Sequence, residues 1–289
     1  GASTIQSMLK AAKANNVLCM AITDFNAMYG VKLFSDYALS SGIKPIAGIN
    51  LTLKTDEYAG DVILLAMNDV GYVNLSKIHY HQWEPTIDHR GKEKVNSELF
   101  STLDIISEYS EGVILLSGNG EKGFLAQAIV HNDMVTLEKM CSVFGDRFYV
   151  EICRSENENT KDIDKKLLDF ADGNLLGNVQ CRDGIERHIW PIVATTDIWY
   201  ANDDRHTGYR ILEAMRTSTN AVMNDDTAHP PVFRLRSEED FNALFSDIPE
   251  AVENTFSIAV RCNYAIPSRD PILPRFGYGS RSEDDILCE

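Results

Sequence analysis

The chain has 289 residues, 44% of them hydrophobic and 24% charged, which is enough apolar material for one barrel-sized domain or two smaller ones. No apolar run approaches the length of a membrane span, and the N-terminus shows no signal-peptide pattern, so we expect a cytoplasmic protein without membrane contacts. The formal net charge of −16 argues against a broad grip on a nucleic-acid backbone, because phosphates would be repelled. The start at Gly1, without Met, suggests a fragment.

The cysteines are scattered and include no C-x-x-C pair. This spacing favours reduced thiols over a disulfide framework or a zinc site. The six positions are Cys19, Cys141, Cys153, Cys181, Cys262 and Cys288.

Strand-like and helix-like segments alternate along the chain. A first helix is predicted after a Ser3 or Thr4 cap, because apolar residues from Ile5 to Ala12 keep helical spacing. Further helices are predicted at 31–39, 70–79, 99–106, 122–130, 135–144, 163–171, 203–215, 237–245 and 249–262. Strands are predicted at 17–23, 46–53 (broken by Gly48), 62–67, 113–116 and 147–152, and the apolar run that opens 191–200 is predicted to be a buried strand. The second helix is predicted to turn four side chains inward: Leu33, Phe34, Tyr37 and Ala38. The polar residues 84–97 are predicted to form a surface loop, and 172–188 match neither pattern.

This alternation is typical of an α/β domain with a parallel sheet, and about seven irregular units would suit a distorted β/α barrel. In such barrels functional side chains collect at the C-terminal ends of the strands. Five polar residues fall at or just beyond predicted strand ends: Asp24, Asn50, Asn119, Glu151 and Asp197. The sequence therefore predicts one polar pocket.

The last predicted strand ends in a pair of residues with the spacing of a chelate. Asp197 and Trp199 are two apart, so on an extended chain they point the same way. A carboxylate and a second metal ligand at this spacing would hold one ion, but an indole cannot ligate a metal. The spacing fits a metal site, whereas the side chains do not.

Other local patterns are weaker. His79 and His81 would diverge on a helix, so joint metal ligation is disfavoured. The glycine-rich residues 117–123 lack the P-loop spacing and are predicted to form a strand-to-helix turn. Glu151 and Asp197 could form an acid/base pair, although hydrogen-bonded carboxylates with Arg154 as a partner are the favoured interpretation.

Seven sequence blocks, in order, resemble the polymerase and histidinol phosphatase (PHP) domain of bacterial DNA polymerase III alpha subunits. They are AITDFNAMYG at 21–30, GIKPIAG at 42–48, GVILLSG at 112–118, FGDRFYVE at 144–151, VATTD at 193–197, DIPEAVENT at 247–255 and ILPRF at 272–276. The resemblance implies a PHP domain at 1–266, a linker toward a polymerase core at 267–289, and a first strand that precedes Gly1.

The family implies a distorted seven-stranded, TIM-like β/α barrel that holds up to three metal ions and hydrolyses phosphate esters. At its ligand positions this chain departs from the family. The residues of this chain at or beside the family's metal-ligand positions are Asp24, Phe25, Asn50, Asn119, Glu151, Arg154, Ser155, Asp197 and Trp199. Only Asp197 keeps a competent ligand, and Phe25 and Trp199 are expected to fill the former pocket with apolar bulk, so we predict no metal and no catalytic residue.

The resemblance therefore predicts a non-catalytic domain of a DNA-directed DNA polymerase, a nucleotidyltransferase that acts in DNA replication. The domain would serve as a scaffold and dock the proofreading exonuclease subunit and other replicase subunits. DNA would be contacted by the rest of the polymerase, whose absent core would use magnesium. The alternative is a metal-dependent phosphoesterase, either a pyrophosphatase or a 3′–5′ exonuclease, with zinc or manganese on unusual ligands.

Overall fold

The computed structural model describes residues 3–83, 98–154, 161–217 and 232–268, together with two short strands at 86–87 and 93–94. The helices are α1 (Ile5–Ala14), α2 (Val31–Ser40), α3 (Asp69–His81), α4 (Leu103–Glu108), α5 (Phe124–Val130), α6 (Met134–Phe144), α7 (Lys161–Ala171), α8 (His206–Thr217), α9 (Glu238–Leu244) and α10 (Pro249–Arg261). None of these described helices is long and apolar enough to cross a membrane.

The strands are β1 (Cys19–Ile22), β2 (Lys44–Lys54), β3 (Ala59–Ala66), β4 (Thr86–Ile87), β5 (Glu93–Lys94), β6 (Val113–Leu116), β7 (Phe148–Cys153), β8 (Val179–Gln180), β9 (Glu186–Arg187) and β10 (Ile192–Thr195). Six of them form one sheet in the order β1-β2-β3-β6-β7-β10. The described residues thus form a mixed α/β fold around a six-stranded sheet, and the predicted seven-stranded barrel is not confirmed.

The prediction of a parallel sheet is wrong for one strand, because β3 runs antiparallel to both β2 and β6. The chain between β2 and β3 is a tight turn in which the Thr55 N–H donates to the Tyr58 carbonyl at 2.8 Å. A parallel return would need a crossover of a dozen or more residues. The start of β3 therefore lies at the same end of the sheet as the C-terminal ends of its neighbours.

The sequence pattern predicted that Gly48 breaks β2. Instead, Gly48 pairs with Leu65 in the middle of a continuous strand. A Cβ at Gly48 would lie 2.7 Å from the Leu64 carbonyl oxygen and 2.9 Å from the Thr23 side chain. Glycine is thus required by close approach rather than by a strand break.

The two faces of the sheet are covered differently. One face packs under α3 to α7 and forms the main core, with side chains such as Ile49, Leu64, Leu115 and Val150 fully buried. The opposite face, which we call the inner face, holds a second cluster that packs against Ile258 and Cys262 of α10. Successive residues of a strand alternate between these two faces.

Several element predictions are confirmed with shifted ends, and a few local ones are wrong. Thr4 caps α1 by accepting from the Ser7 N–H, and Ser237 caps α9. Leu33 is exposed on α2 rather than inward. The unassigned residues 172–188 contribute the hairpin of β8 and β9, and α4 begins at Leu103, four residues later than predicted.

The predicted linker falls largely outside the described residues, which end at 268. The five cysteines in the described ranges are free thiols, as predicted: Cys19, Cys141, Cys153, Cys181 and Cys262.

Candidate functional site

Polar side chains gather at one end of the inner face, on strands whose other end is apolar. Alternation places Asn50 and Thr52 of β2, Asp61 of β3, Glu151 of β7 and Thr195 of β10 on the inner face. The loops after β6 and β10 add Asn119 and Asp197 at the same end. We call this set the polar mouth: Asn50, Thr52, Asp61, Asn119, Glu151, Thr195 and Asp197.

Glu151 is the most deeply buried group of the polar mouth, with 1% of its surface exposed. Its Oε1 accepts a hydrogen bond from Thr195 Oγ1 at 2.6 Å, whereas Oε2 has no hydrogen-bond partner. The pKa of Glu151 is raised to about 7, chiefly by burial. The charges of Asp197 and Asp61 add to the rise, and the Thr195 and Gly118 donors offset part of it. Glu151 is therefore partly protonated near neutral pH.

Asp197 lies beside Glu151 and is held by an amide. Asn119 Nδ2 donates a hydrogen bond to Asp197 Oδ2 at 2.8 Å, which links the loop after β6 to the loop after β10. Asp197 is half-buried and its charge acts on Glu151. The structure thus brings together three of the predicted site residues, Asn119, Glu151 and Asp197.

Asp61 belongs to the same site and was missed by the sequence analysis. Thr52 Oγ1 donates to Asp61 Oδ1 at 3.3 Å, and burial raises the pKa of Asp61. Asp61 lies near the start of β3, whereas the predicted pocket was built from residues at the C-terminal ends of strands. The short polar connection before β3 predicts an antiparallel return and could have found it.

Close backbone approach joins the loop after β6 to the start of β3. Gly118 has φ of +92°, and a Cβ there would lie 1.7 Å from the Asp61 carbonyl oxygen. A residue with a side chain cannot occupy this position without moving β3. The spacing between Asp61 and Asn119 therefore depends on this glycine.

The segment after β1 closes the other side of the polar mouth through its backbone. The Asn50 N–H donates to the Asp24 carbonyl at 3.2 Å, and the Asn26 N–H donates to the Asn50 carbonyl at 2.7 Å. The Asn50 Oδ1 atom is buried and has no hydrogen-bond partner. Phe25, which bridges to Asn50, is 56% exposed.

The prediction that Arg154 pairs with the carboxylates of the polar mouth is wrong. It pairs with Asp164 at 2.8 Å and with both oxygens of Asp247 at 2.6 and 3.0 Å. These ion pairs tie β7 to α7 and to the turn before α10. Arg154 therefore has a structural role behind the site, and Ser155 lies outside the described residues.

Trp199 follows Asp197 by two residues and packs against other aromatic side chains. Its backbone N–H donates to the Phe233 carbonyl at 2.9 Å, and its ring packs 6.0 Å from the ring of Tyr209. The side chain is 47% exposed, and Phe25 is exposed to a similar degree. The prediction that these two rings fill the former pocket is wrong, since about half of each side chain is exposed to solvent.

The PHP domain family matches residues 1–155, which is more than half of the chain. The chain belongs to the PHP domain family. It is 31% identical to the DNA polymerase III subunit alpha of Haemophilus influenzae over 99% of this chain and 23% of that protein. The corresponding subunit of Vibrio cholerae is 29% identical over 99% of this chain and 24% of that protein. The chain spans about a quarter of the length of these relatives.

Among solved structures, an amidohydrolase from Chromobacterium violaceum matches 52% of this chain and 81% of that chain. The two share 12% sequence identity with a TM-score of 0.33. A similarity at this level does not support an assignment of the fold.

The described residues of this chain do not fit the metal centre that the family implies. Among the described residues, no three His, Cys, Asp or Glu side chains are grouped so that they could hold one ion. Asn119 donates its amide nitrogen to Asp197, so this nitrogen offers no lone pair to a cation. Phe25 and Trp199, which the resemblance sets at two ligand positions, carry side chains without a metal-binding atom.

The histidines of α3 also make separate contacts. The ring of His79 lies 5.9 Å from Tyr29, whereas the ring of His81 stacks 5.4 Å from Tyr109. The predicted divergence is confirmed. The glycine-rich segment after β6 is a 3-10 turn at Gly120–Lys122 that leads into α5, also as predicted.

Proposed function

We propose that this chain is the PHP domain of a replicative DNA polymerase III alpha subunit and that it is non-catalytic. In this proposal the domain is a structural scaffold for the polymerase and docks the proofreading exonuclease subunit. Nucleotidyl transfer, its magnesium ions and the DNA contacts would belong to the rest of the polymerase. The observation that carries the proposal is the match of 99% of this chain to an alpha subunit at 31% identity.

The potential metal ligands of the polar mouth support a domain that does not hydrolyse phosphate esters. A water molecule must be activated and phosphoryl charge neutralised by metal ions in a metal-dependent phosphoesterase. The polar mouth offers the neutral amides of Asn50 and Asn119 at two of the family ligand positions. Neutral amides are weak ligands for the zinc or manganese that such a reaction requires.

Exposed aromatic side chains on the segments that follow β1 and β10 support a docking role. Phe25, Tyr29 and Trp199 are 56%, 77% and 47% exposed. Exposed apolar groups bordered by polar residues are typical of protein interaction surfaces. We place the exonuclease subunit on this end of the sheet.

The test has two arms on the purified 289-residue chain. Metal analysis and assays with pyrophosphate and a single-stranded DNA 3′ end should give neither stoichiometric zinc or manganese nor turnover. Size-exclusion chromatography with the exonuclease subunit of the same organism should give a stable complex. Metal with turnover would establish the phosphoesterase alternative, and two separate peaks would contradict docking.

A further inference from the structure

The chain that follows α10 contacts both α2 and α3. We call residues 263–268 the exit segment. The Asn263 N–H donates to the Met67 carbonyl, just after β3, at 2.7 Å. The ring of Tyr264 packs 5.2 Å from the ring of Tyr72, which lies near the start of α3. The exit segment therefore begins beside the N-terminal end of α3.

Hydrogen bonds to α2 fix the direction of the exit segment. The Ile266 N–H donates to Ser35 Oγ at 3.3 Å. Lys32 Nζ donates to the Ile266 carbonyl at 3.3 Å and to Ser268 Oγ at 3.1 Å. The contacts thus move from Ser35 to Lys32, toward the N-terminus of α2, as the chain proceeds.

An aromatic patch lies ahead of the exit segment in this direction. Tyr29 precedes Lys32 by three residues, which is about one helical turn. The ring of Tyr29 lies 5.9 Å from the ring of His79, which lies 6.2 Å from the ring of Trp83. We call Tyr29, His79 and Trp83 the aromatic patch. It joins the start of α2 to the end of α3.

The aromatic patch presents large ring surfaces to solvent. Tyr29 is 77% exposed and Trp83 is 44% exposed. Exposed aromatic rings that contact one another are typical of surfaces that bind a peptide or a protein. Grooves lined by such rings bind proline-rich segments in the polyproline II conformation, whose turns repeat every three residues and about 9 Å.

The sequence that follows the exit segment has this pattern. Residues 271–274 read Pro-Ile-Leu-Pro, a P-x-x-P sequence that begins three residues after Ser268. Three residues of extended chain span at most about 11 Å. Because Ser268 is bound to Lys32 and Tyr29 lies about one helical turn further on, Pro271 can reach the aromatic patch.

We propose that residues 271–274 dock on the aromatic patch of the same molecule and fix the direction in which the chain leaves this fold. A segment tethered by three residues has an effective concentration in roughly the millimolar range or above, so weak contacts suffice. The inference goes beyond the proposed scaffold role and does not depend on the exonuclease subunit. Phe25 and Trp199 remain exposed for that subunit.

The first test is limited tryptic digestion of the full 289-residue chain, followed by mass spectrometry. Arg275 directly follows the docked residues, and Arg281 lies six residues beyond it. Cleavage next to a docked segment follows the population of its open form. We expect Tyr29→Ala and Trp83→Ala each to raise the cleavage rate at Arg275 by about fivefold, because a ring contact is lost. The rate at Arg281 should not change.

Phe256→Ala is the matched control, because Phe256 is 70% exposed on α10, and it should change neither rate. Equal rates at Arg275 in the unchanged chain and in both patch variants would refute the docking. Protection of Arg275 that disappears on dilution would place the segment of a second copy on the patch, which also overturns the proposal. If the patch variants abolish the exonuclease complex and leave digestion unchanged, the patch belongs to that subunit.

The second test observes the aromatic patch itself. Acrylamide quenching of the Trp199→Phe variant reports mainly on Trp83, because Trp190 is 1% exposed. Replacing both Pro271 and Pro274 by Ala in this variant should raise the quenching constant about twofold, since a docked segment excludes solvent from the indole. A quenching constant that does not change would mean that residues 271–274 do not cover Trp83 and would overturn the proposal.

Discussion

The inner face of the sheet has two ends that differ although the same strands form both. At one end, Ile46, Leu65, Ile114 and Val193 pack together and are covered by Ile258 of α10. Two to four residues further along the same strands, the polar mouth holds buried carboxylates and two acceptors without donors. The difference shows that the apolar end stabilises the fold, whereas the polar end retains groups that burial alone does not favour.

The junction between β6 and β3 at the polar end should be the most sensitive position. Gly118→Ala would place a Cβ 1.7 Å from the Asp61 carbonyl oxygen in a left-handed backbone conformation. We expect the free energy of unfolding to fall by roughly 4 kcal/mol or more, because strain and a backbone clash add together. Urea denaturation measures it.

Gly120→Ala is the matched control, since Gly120 also has a positive φ but nothing lies within 4 Å of its added Cβ. It should cost about 1 kcal/mol. Equal losses for the two variants would mean that the close approach to Asp61 has no energetic weight.

At the apolar end, Ile258→Ala should lower the free energy of unfolding by about 3 kcal/mol, because it leaves a cavity under α10. Ile258 is 4% exposed. Val260→Ala, on the 52% exposed side of the same helix, should change it by less than about 0.5 kcal/mol. Thermal and urea denaturation distinguish the two, and similar small effects would show that α10 does not close this end.

At the polar end, removal of a charge should stabilise the protein instead. The pKa of Glu151 rises from its ordinary 4.5 to about 7, so between these values the folded state binds a proton that the unfolded state has lost. Stability is therefore lost as pH rises from about 4.5 to 7. Glu151→Gln should raise the free energy of unfolding by roughly 2–3 kcal/mol at pH 8 and by almost nothing near pH 4.5.

The measurement is urea denaturation of Glu151→Gln and of the unchanged chain at several pH values. Glu138→Gln serves as the control, because Glu138 is exposed on α6. A stability difference that does not vary with pH would show that the Glu151 carboxylate is not destabilised by burial.

Local patterns predicted most elements of this fold, and long-range geometry accounts for the errors. The cap at Thr4 and the four-residue strand β6 follow from nearby residues and are confirmed. The direction of β3 depends on which strand it pairs with. The alternation of strand-like and helix-like segments along the rest of the chain favoured a parallel sheet. The missed Asp61 is a direct consequence, because its place in the site depends on that direction.

The site was predicted in part for the same reason. Asn119, Glu151 and Asp197 were expected at one end of the sheet and lie together there. The partner of Arg154 was wrong, because Asp164 and Asp247 are distant in sequence and nothing local indicates that they converge. Spacing predicts which end of a strand a residue occupies, but not the partner its side chain meets across the fold.

The hydrogen bond between the two loops of the polar mouth should give the smallest effect. Asn119→Ala removes the 2.8 Å bond to Asp197, and both side chains are half-buried, so we expect a loss of about 1 kcal/mol in the free energy of unfolding. Asn178→Ala, at an exposed position, should stay within about 0.5 kcal/mol of the unchanged chain. Urea denaturation at pH 8 provides the comparison. If Asn119→Ala were instead to stabilise the domain, water would solvate Asp197 better than the Asn119 amide does. The polar end of the inner face would then be open to solvent, unlike the apolar end.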